Sequence, residues 1–331
     1  MNNAAAVPKK GIAGAFRNKL IAIPYLVWLI IFIVIPMMLI AVFAFTTTVQ
    51  VDADGNIIAA AEEAEEEDFE EFEEFEAEEA GEEEEEEAEE EVYTKTVFTL
   101  KNILAVSNYM PVLLKSLWLA AIATALCLLI AYPLAYIISR QNERRQRLMV
   151  MLVMLPMWMN FLLRTYAWMT LLERNGWINK LFALVGLGPF EMINTQGAVV
   201  LGMIYNYLPF MILPLYSIMT KIEDRTLEAA ADLGANNYHI FSRVVLPLSL
   251  PGIATGITAV FVPAVSTFII SRMLGGGTNL LIGDLIDLQF LGNAYNPNLG
   301  AAISLVLMAF ILLAMSITNT FDTEETEGLL L

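Results

Sequence analysis

Residues 227–253 read LEAAADLGANNYHIFSRVVLPLSLPGI, a polar, glycine-broken stretch between apolar ones, with types and spacing suited to a close-packed corner and not to a reaction centre. Glu228, Ala229, Ala230 and Asp232 lie in strong helix-forming sequence, with small side chains that let another surface come close. Gly234 ends that helix, and Ala235-Asn236-Asn237 supply the turn that glycine or asparagine allows. Tyr238 to Val245 predict a second short helix with Ile240, Phe241 and Val244 on one stripe. Leu246-Pro247 stops it, and Pro251-Gly252 opens the next apolar segment. Two short helices joined at a corner thus stand between two greasy stretches, on a face that another surface can approach closely.

A second group of residues could meet a cation. Tyr166 and Trp168, then Tyr205, Tyr207 and Phe210, offer aromatic faces, each worth roughly 0.5–2 kcal/mol to an ammonium group depending on desolvation. Asp284 and Asp287 offer carboxylates. Blander readings stand beside these: an interfacial belt or helix packing for the aromatics, solvated or capping positions for the aspartates. Arg164 sits within an apolar stretch. Snorkelling to the interface, pairing with Glu173 and a gate contact are all open to it.

Bond-making chemistry is absent. There is no GxxxxGK[ST] phosphate loop, no HExxH and no GxSxG. The single Cys127 excludes an intrachain disulfide framework, and the single His239 excludes a histidine-rich metal site. No catalytic residue and no cofactor is expected.

The elements that must position these residues are membrane helices. Of 331 residues, 57% are hydrophobic and the mean hydropathy is +0.60, which points to a multi-span membrane protein. Six segments have about the 20 residues needed to cross the hydrocarbon core: 20–46, 112–139, 147–172, 197–220, 250–271 and 299–320. Lys9, Lys10, Arg17 and Lys19 precede the first, whose apolar run is about twice a signal-peptide core, so it reads as a retained helix. Bases cluster there, at Arg140, Arg144, Arg145 and Arg147, and at Lys221, Arg225 and Arg243. By the positive-inside rule both termini and the loop 221–247 are cytoplasmic. The expected organisation is a cytoplasmic segment 1–19, a first helix 20–46, an extracytoplasmic loop 47–111, a five-helix core 112–320 and a cytoplasmic tail 321–331.

The formal charge of −19 describes one loop: between Asp52 and Glu91 stand 24 acids and no base, leaving 13 acids against 18 bases elsewhere. The densest part, 61–91, repels itself, and only Phe69, Phe72 and Phe75 could form an apolar stripe. A solvated spacer is expected; the sharper reading is a field that gathers external polycations or steers a basic binding protein.

Glu228-Ala229-Ala230, Gly234, Phe241 and Leu246-Pro247 resemble the EAA loop of permease subunits in bacterial ABC importers. Phe161-Leu162-Leu163-Arg164-Thr165-Tyr166-Ala167-Trp168 and Asn175-Gly176-Trp177-Ile178-Asn179 are similar to the first permease subunit of spermidine/putrescine importers. So are Phe261-Val262-Pro263-Ala264, Asn279-Leu280-Leu281-Ile282-Gly283-Asp284 and Gln289-Phe290-Leu291. The acidic stretch departs from the family pattern. The resemblance implies an all-α membrane fold with six transmembrane helices, the type I importer permease fold, in the bacterial cytoplasmic membrane. It also implies two cytoplasmic ATPase subunits, a second homologous permease and an extracytoplasmic substrate-binding protein as partners, with membrane lipid around it and no nucleic acid. A polyamine is the implied solute. Ferric iron, sulfate-type anions and phosphonates are alternatives, as is a non-transporting membrane scaffold.

Overall fold

The computed structural model describes residues 24, 26–51, 57–60, 93–277, 279–292 and 295–328. The N-terminal segment 1–19 and the acidic segment 61–91 lie outside the described residues. Those described fall into two compact units.

In the first unit, α1 (Leu26–Ala44) has 19 residues of mean hydropathy 3.1. At 1.5 Å per residue it is about 28 Å long, close to the hydrocarbon thickness. Trp28, Phe32 and Met38 are exposed on it, as a helix in lipid allows. A three-stranded antiparallel sheet follows. β1 (Thr46–Val51) is its central strand, between β2 (Ile57–Ala60) and β3 (Tyr93–Phe98). The acidic segment therefore joins two strands that flank the same central one. Asn102, on the short α2 (Lys101–Ala105), donates from Nδ2 to the Thr46 carbonyl at 2.9 Å. The sequence reading had no strands here, although TTTVQV and YTKTVF carry the β-branched and aromatic residues that favour them.

The second unit is a helical bundle. Its elements are α3 (Met110–Ser139), α4 (Glu143–Met154), α5 (Phe161–Leu172), α6 (Trp177–Leu184) and α7 (Gln196–Met219). There follow α8 (Asp224–Asp232), α9 (Asn237–Leu248), α10 (Leu250–Val265), α11 (Ile269–Gly275) and α12 (Ile282–Leu291). The last helix, α13 (Pro297–Gly328), begins in the first unit and continues in the second.

Helices α3, α7 and α10 pack together at the centre. Helix α3 contributes a buried stripe of small residues, Ala120, Ala123, Cys127, Ala131 and Ala135, at the three- and four-residue spacing that keeps one helical face. Small residues let backbones approach, which is how helices associate where lipid removes the hydrophobic driving force. Met203, Met211, Leu215 and Met219 of α7 fill the space opposite. Contact between α10 and α7 is close at Gly256, where an added β-carbon would stand 2.6 Å from the Met211 sulfur.

Two expected spans are broken. The segment 147–172 bends by 89° between Glu143–Trp158 and Phe161–Leu184. Pro156 lies in a 3-10 turn, and Asn160 ends it by accepting the Leu162 amide at 2.8 Å to start α5. A proline plus an N-cap is a stop and a restart, and both were legible. Likewise α10 ends at Val265 and a separate α11 begins at Ile269, inside what reads as one span. Among the described residues four helices are long and apolar enough to cross a membrane, or six if each bent pair is one span.

Candidate functional site

The cornered segment folds as its composition dictates. After Asp232 the chain closes helix α8 with two reversed bonds: the Gly234 amide reaches the Ala231 carbonyl at 2.9 Å, and the Ala235 amide reaches Ala230 at 3.1 Å. This is the Schellman arrangement, which needs a left-handed residue between the two helices. Gly234 supplies it with φ 83°. Asn236 then caps α9 by accepting the His239 amide at 2.9 Å, and His239 Nδ1 meets the same oxygen at 2.7 Å. Glu228, Ala229 and Asp232 are exposed, and Leu233 projects 90% of its surface at the corner.

One expectation fails here. Pro247 does not stop the second helix, which runs to Leu248. Residues Phe241–Val245 form a π-turn directly before it. Proline lacks the amide that an α-helix would pair one turn back, and the wider turn absorbs the mismatch. The chain bends instead at Ser249, by 62° between α9 and α10.

Residues the sequence reading did not single out hold this segment to α3. Arg140, the C-cap of α3, donates from Nη1 to the Ile222 carbonyl at 3.1 Å and to Asp224 Oδ1 at 2.7 Å, and from Nη2 to the Met219 carbonyl at 3.3 Å. Its guanidinium also lies 5.5 Å from the Tyr136 ring. The Phe241 ring meets Tyr136 edge-on at 6.4 Å and Tyr132 at 5.5 Å. The Tyr132 hydroxyl shares a 2.8 Å hydrogen bond with Ser249, both groups buried. An apolar groove of ≈ 580 Å³ runs beside these rings, lined also by Leu129, Pro133, Leu246 and Ile253.

The aromatic candidates separate into two contacts. Trp168 and Tyr205 pack edge-on at 5.3 Å, joining α5 to α7. Tyr207 and Phe210 lie 6.5 Å apart, and Tyr207 donates to the Pro263 carbonyl at 3.2 Å. Tyr166 is exposed on α5. Arg164 is 8% exposed, so its side chain does not snorkel outward. No ion pair joins it to Glu173 among the described residues, and Nε and Nη1 have no hydrogen-bond partner within the chain.

The aspartates are engaged. Asp284 is fully buried at the start of α12, accepting the Leu281 amide at 2.9 Å and the Ser271 hydroxyl. Burial pushes its carboxyl above the usual range, while the Ser271 and Leu281 bonds and the Arg272 charge pull it back. Arg272 Nη2 binds Asp287 at 2.6 Å. Asn279 accepts from Lys115 Nζ at 3.2 Å, and Ser116 of α3 accepts the Ile282 amide at 2.8 Å. Asn179 is a bracket too, bonding Phe190 through both its amide and its carbonyl.

Comparison with known proteins places this architecture. Residues 128–324 match the model of the family described as "Binding-protein-dependent transport system inner membrane component". The spermidine/putrescine transport system permease protein PotB of Haemophilus influenzae is 40% identical over 224 residues, 66% of this chain and 78% of that one. The Escherichia coli K12 protein of the same name is 39% identical over 219 residues, 65% of this chain and 79% of that one. A crystal structure of a bacterial alginate ABC transporter, in complex with its alginate pentasaccharide-bound periplasmic protein, has a chain of the same fold. It aligns with TM-score 0.69 and 14% identity, over 95% of this chain and 96% of that one. With four to six apolar spans among the described residues, the cornered helix pair and a family match over more than half its length, the chain belongs to the binding-protein-dependent inner membrane components and has the type I ABC importer permease fold.

Proposed function

We propose that this chain is the polyamine permease subunit of an ATP-driven importer. The cornered pair α8–α9 is its coupling handle on the cytoplasmic side, and both termini lie on that side. Two separate ATPase subunits would close on ATP and draw the segment 221–247 inward, rocking the bundle outward-facing. An extracytoplasmic binding protein would deliver spermidine or putrescine, a second homologous permease would supply the other half of the pathway, and hydrolysis would reset the inward-facing state. The observation that carries this reading is the exposed Schellman corner at Gly234, with Leu233 projecting from it. Identity near 40% to permeases named for spermidine and putrescine supports the solute.

The pathway residues are weighted by their surroundings. Trp168, Tyr205 and Phe210 keep aromatic surface available to an ammonium group. Asp284 is occupied as a helix cap, and Asp287 shares its charge with Arg272. Arg164 cannot be satisfied by a polyamine, which has no acceptor to offer a guanidinium.

Two experiments separate the parts. Cysteines at Ala230 or Gly234 should crosslink to the ATPase subunits in inner-membrane vesicles, and no crosslink from either position would end the coupling reading. Calorimetry of the cognate binding protein should show spermidine or putrescine binding; anions binding in their place would end the polyamine reading alone.

A further inference from the structure

The coupling segment is attached to the bundle at both of its ends, and both attachments fall on one helix. At its entry, one guanidinium gathers the last residue of α7, the turn and the first residue of α8: Met219, Ile222 and Asp224. The planar fork of arginine suits such a junction, because several donors leave a rigid group in fixed directions. Asp224 also sits at the N-terminus of α8, where a carboxylate is favoured by the helix dipole. At the exit, Tyr132 bonds Ser249 at the bend between α9 and α10, and Phe241 rests edge-on against Tyr132 and Tyr136.

Tyr132, Tyr136 and Arg140 are four residues apart in turn, so they share one face of α3. Three consecutive turns of one helix thus receive the exit bend, the middle of α9 and the entry of α8. Pro133 lies within α3 beside the first of these contacts, and an interior proline removes a helical hydrogen bond where a helix bends.

Building on the coupling reading above, we propose that this face of α3 is the bearing surface that converts displacement of the coupling handle into movement of the bundle. Tyr132, Tyr136 and Arg140 are its positioning residues. A push at the exposed corner cannot turn α8 alone, since Arg140 ties its base to the ends of α3 and α7. It cannot turn α9 alone, since Phe241 and Ser249 lean on the same helix. Tyrosine and arginine fit this task better than aliphatic residues: each combines a flat contact face with a directional bond.

The test uses the assembled transporter (this chain, its ATPase subunits, the second permease and the binding protein) in liposomes. ATP hydrolysis is measured alongside the nucleotide-dependent labelling of Cys127, the chain's single cysteine, which is buried on α3. Cys127 reads the helix itself and needs no knowledge of the solute. In the wild type, ATP should change its labelling rate. Arg140→Ala should keep hydrolysis within about twofold and abolish that change, and Arg140→Lys should restore part of it. Tyr132→Phe keeps the ring and removes only the Ser249 bond, and should weaken the response about two- to fivefold. Arg140→Ala and Asp224→Ala combined should be no worse than Arg140→Ala alone.

A wild-type Cys127 indifferent to ATP, or an Arg140→Ala response equal to wild type, overturns the bearing surface. If Arg140→Ala does not assemble, Tyr132→Phe decides, and an undiminished response there overturns it as well. Failure of an Ala230→Cys variant, otherwise wild type, to crosslink to the ATPase subunits would instead strike the coupling reading beneath.

Discussion

Arg140 and Arg164 both carry an aromatic ring beside the guanidinium, Tyr136 at 5.5 Å and Phe161 at 5.7 Å. Their surroundings otherwise diverge. Arg140 keeps 20% of its side chain exposed and spends both terminal nitrogens on two carbonyls and a carboxylate. Arg164 is more deeply buried, with Nε and Nη1 lacking any acceptor among the described residues. An arginine held by fixed acceptors transmits force, because moving it means breaking charged hydrogen bonds. A buried guanidinium left partly unpartnered is costly to the isolated subunit. Around Arg140 both terminal nitrogens are held by the chain's own acceptors and only Nε lacks one, whereas among the described residues Arg164 lacks a partner at both Nε and Nη1. Asp284 is fully buried as well; its Oδ1 has no hydrogen bond among the described residues and meets only the Arg272 charge, at 3.9 Å.

The sharpest way to break that comparison is at the corner of the handle. Gly234→Val forces a β-branched residue to φ 83°, a region such residues avoid. Strain of about 1–3 kcal/mol predicts a loss of ATPase co-purification and of uptake of roughly fivefold to a hundredfold. Nothing stands within 4 Å of the missing β-carbon, so the penalty is conformational. Gly234→Asn should recover part of the loss, because asparagine tolerates the left-handed region. Equal uptake in all three proteins would show that the corner is not held under load.

Arg164 is the counterpart. Replacing an unpaired buried cation by an apolar side chain of similar length should stabilise the isolated subunit by on the order of 1 kcal/mol. Thermal melting of detergent-purified Arg164→Met should therefore rise while uptake falls, by roughly tenfold. At Arg140 the same exchange should lower the melting temperature, since it abandons two backbone carbonyls and Asp224. Opposite signs at the two arginines would sharpen the contrast; matching signs would erase it.

Asp284 gives a smaller, pH-dependent version. Burial raises its folded-state pKa above 3.8, so the native subunit holds a proton over a range where the unfolded chain has released it. Its contribution to stability is then full below 3.8 and is lost as pH rises through the raised value. Asp284→Asn should flatten that decline while its amide oxygen still accepts the Leu281 N–H. Melting curves from about pH 4 to about pH 8 check this; identical slopes would mean that ionised Asp284 carries no penalty.

What the sequence disclosed follows from how local each signal is. The corner was legible because every part of it, from the alanines through Gly234 to Asn236, acts within about six residues. The apolar spans were legible as composition, and their breaks less so. Pro156 and Asn160 announce the 89° bend, yet in a membrane a proline may equally well sit inside a helix, as Pro133, Pro209 and Pro214 do here. Pro247 misled for the same reason, since the π-turn before it leaves no mark in residue type. The bearing face of α3 was hidden because its bonds join residues about 80 to 120 positions apart. Arg140 entered the reading only as one base of a topology-setting cluster, and Tyr132 as part of an apolar run. For Asp284 a capping position was one of the readings open from sequence, but its full burial was not legible, because the Ser271 hydroxyl that completes its surroundings comes from another helix.

The last contrast sets charges inside the bundle against the acidic run of the sequence. The segment between Asp52 and Glu91 has 24 acids without a base, and a charge density of that kind acts on its surroundings through its field. Such a field reaches about 10 Å at 0.1 M salt and about 30 Å at 0.01 M. It changes encounter rates of polycations or of a basic protein face more than it changes affinity. Deleting 61–91 should therefore lower the initial rate of spermidine uptake by about two- to threefold at low ionic strength and leave it unchanged at high ionic strength, with the Ala230 crosslink intact at both. The strands on either side, β2 and β3, both pair with β1, so a short glycine-serine replacement can close the gap without disturbing the sheet's register. An unaltered low-salt rate would reduce the segment to a spacer. A loss equal at both salt concentrations would mean that it acts by contact, and would place it with Arg140 and not with the long-range charges.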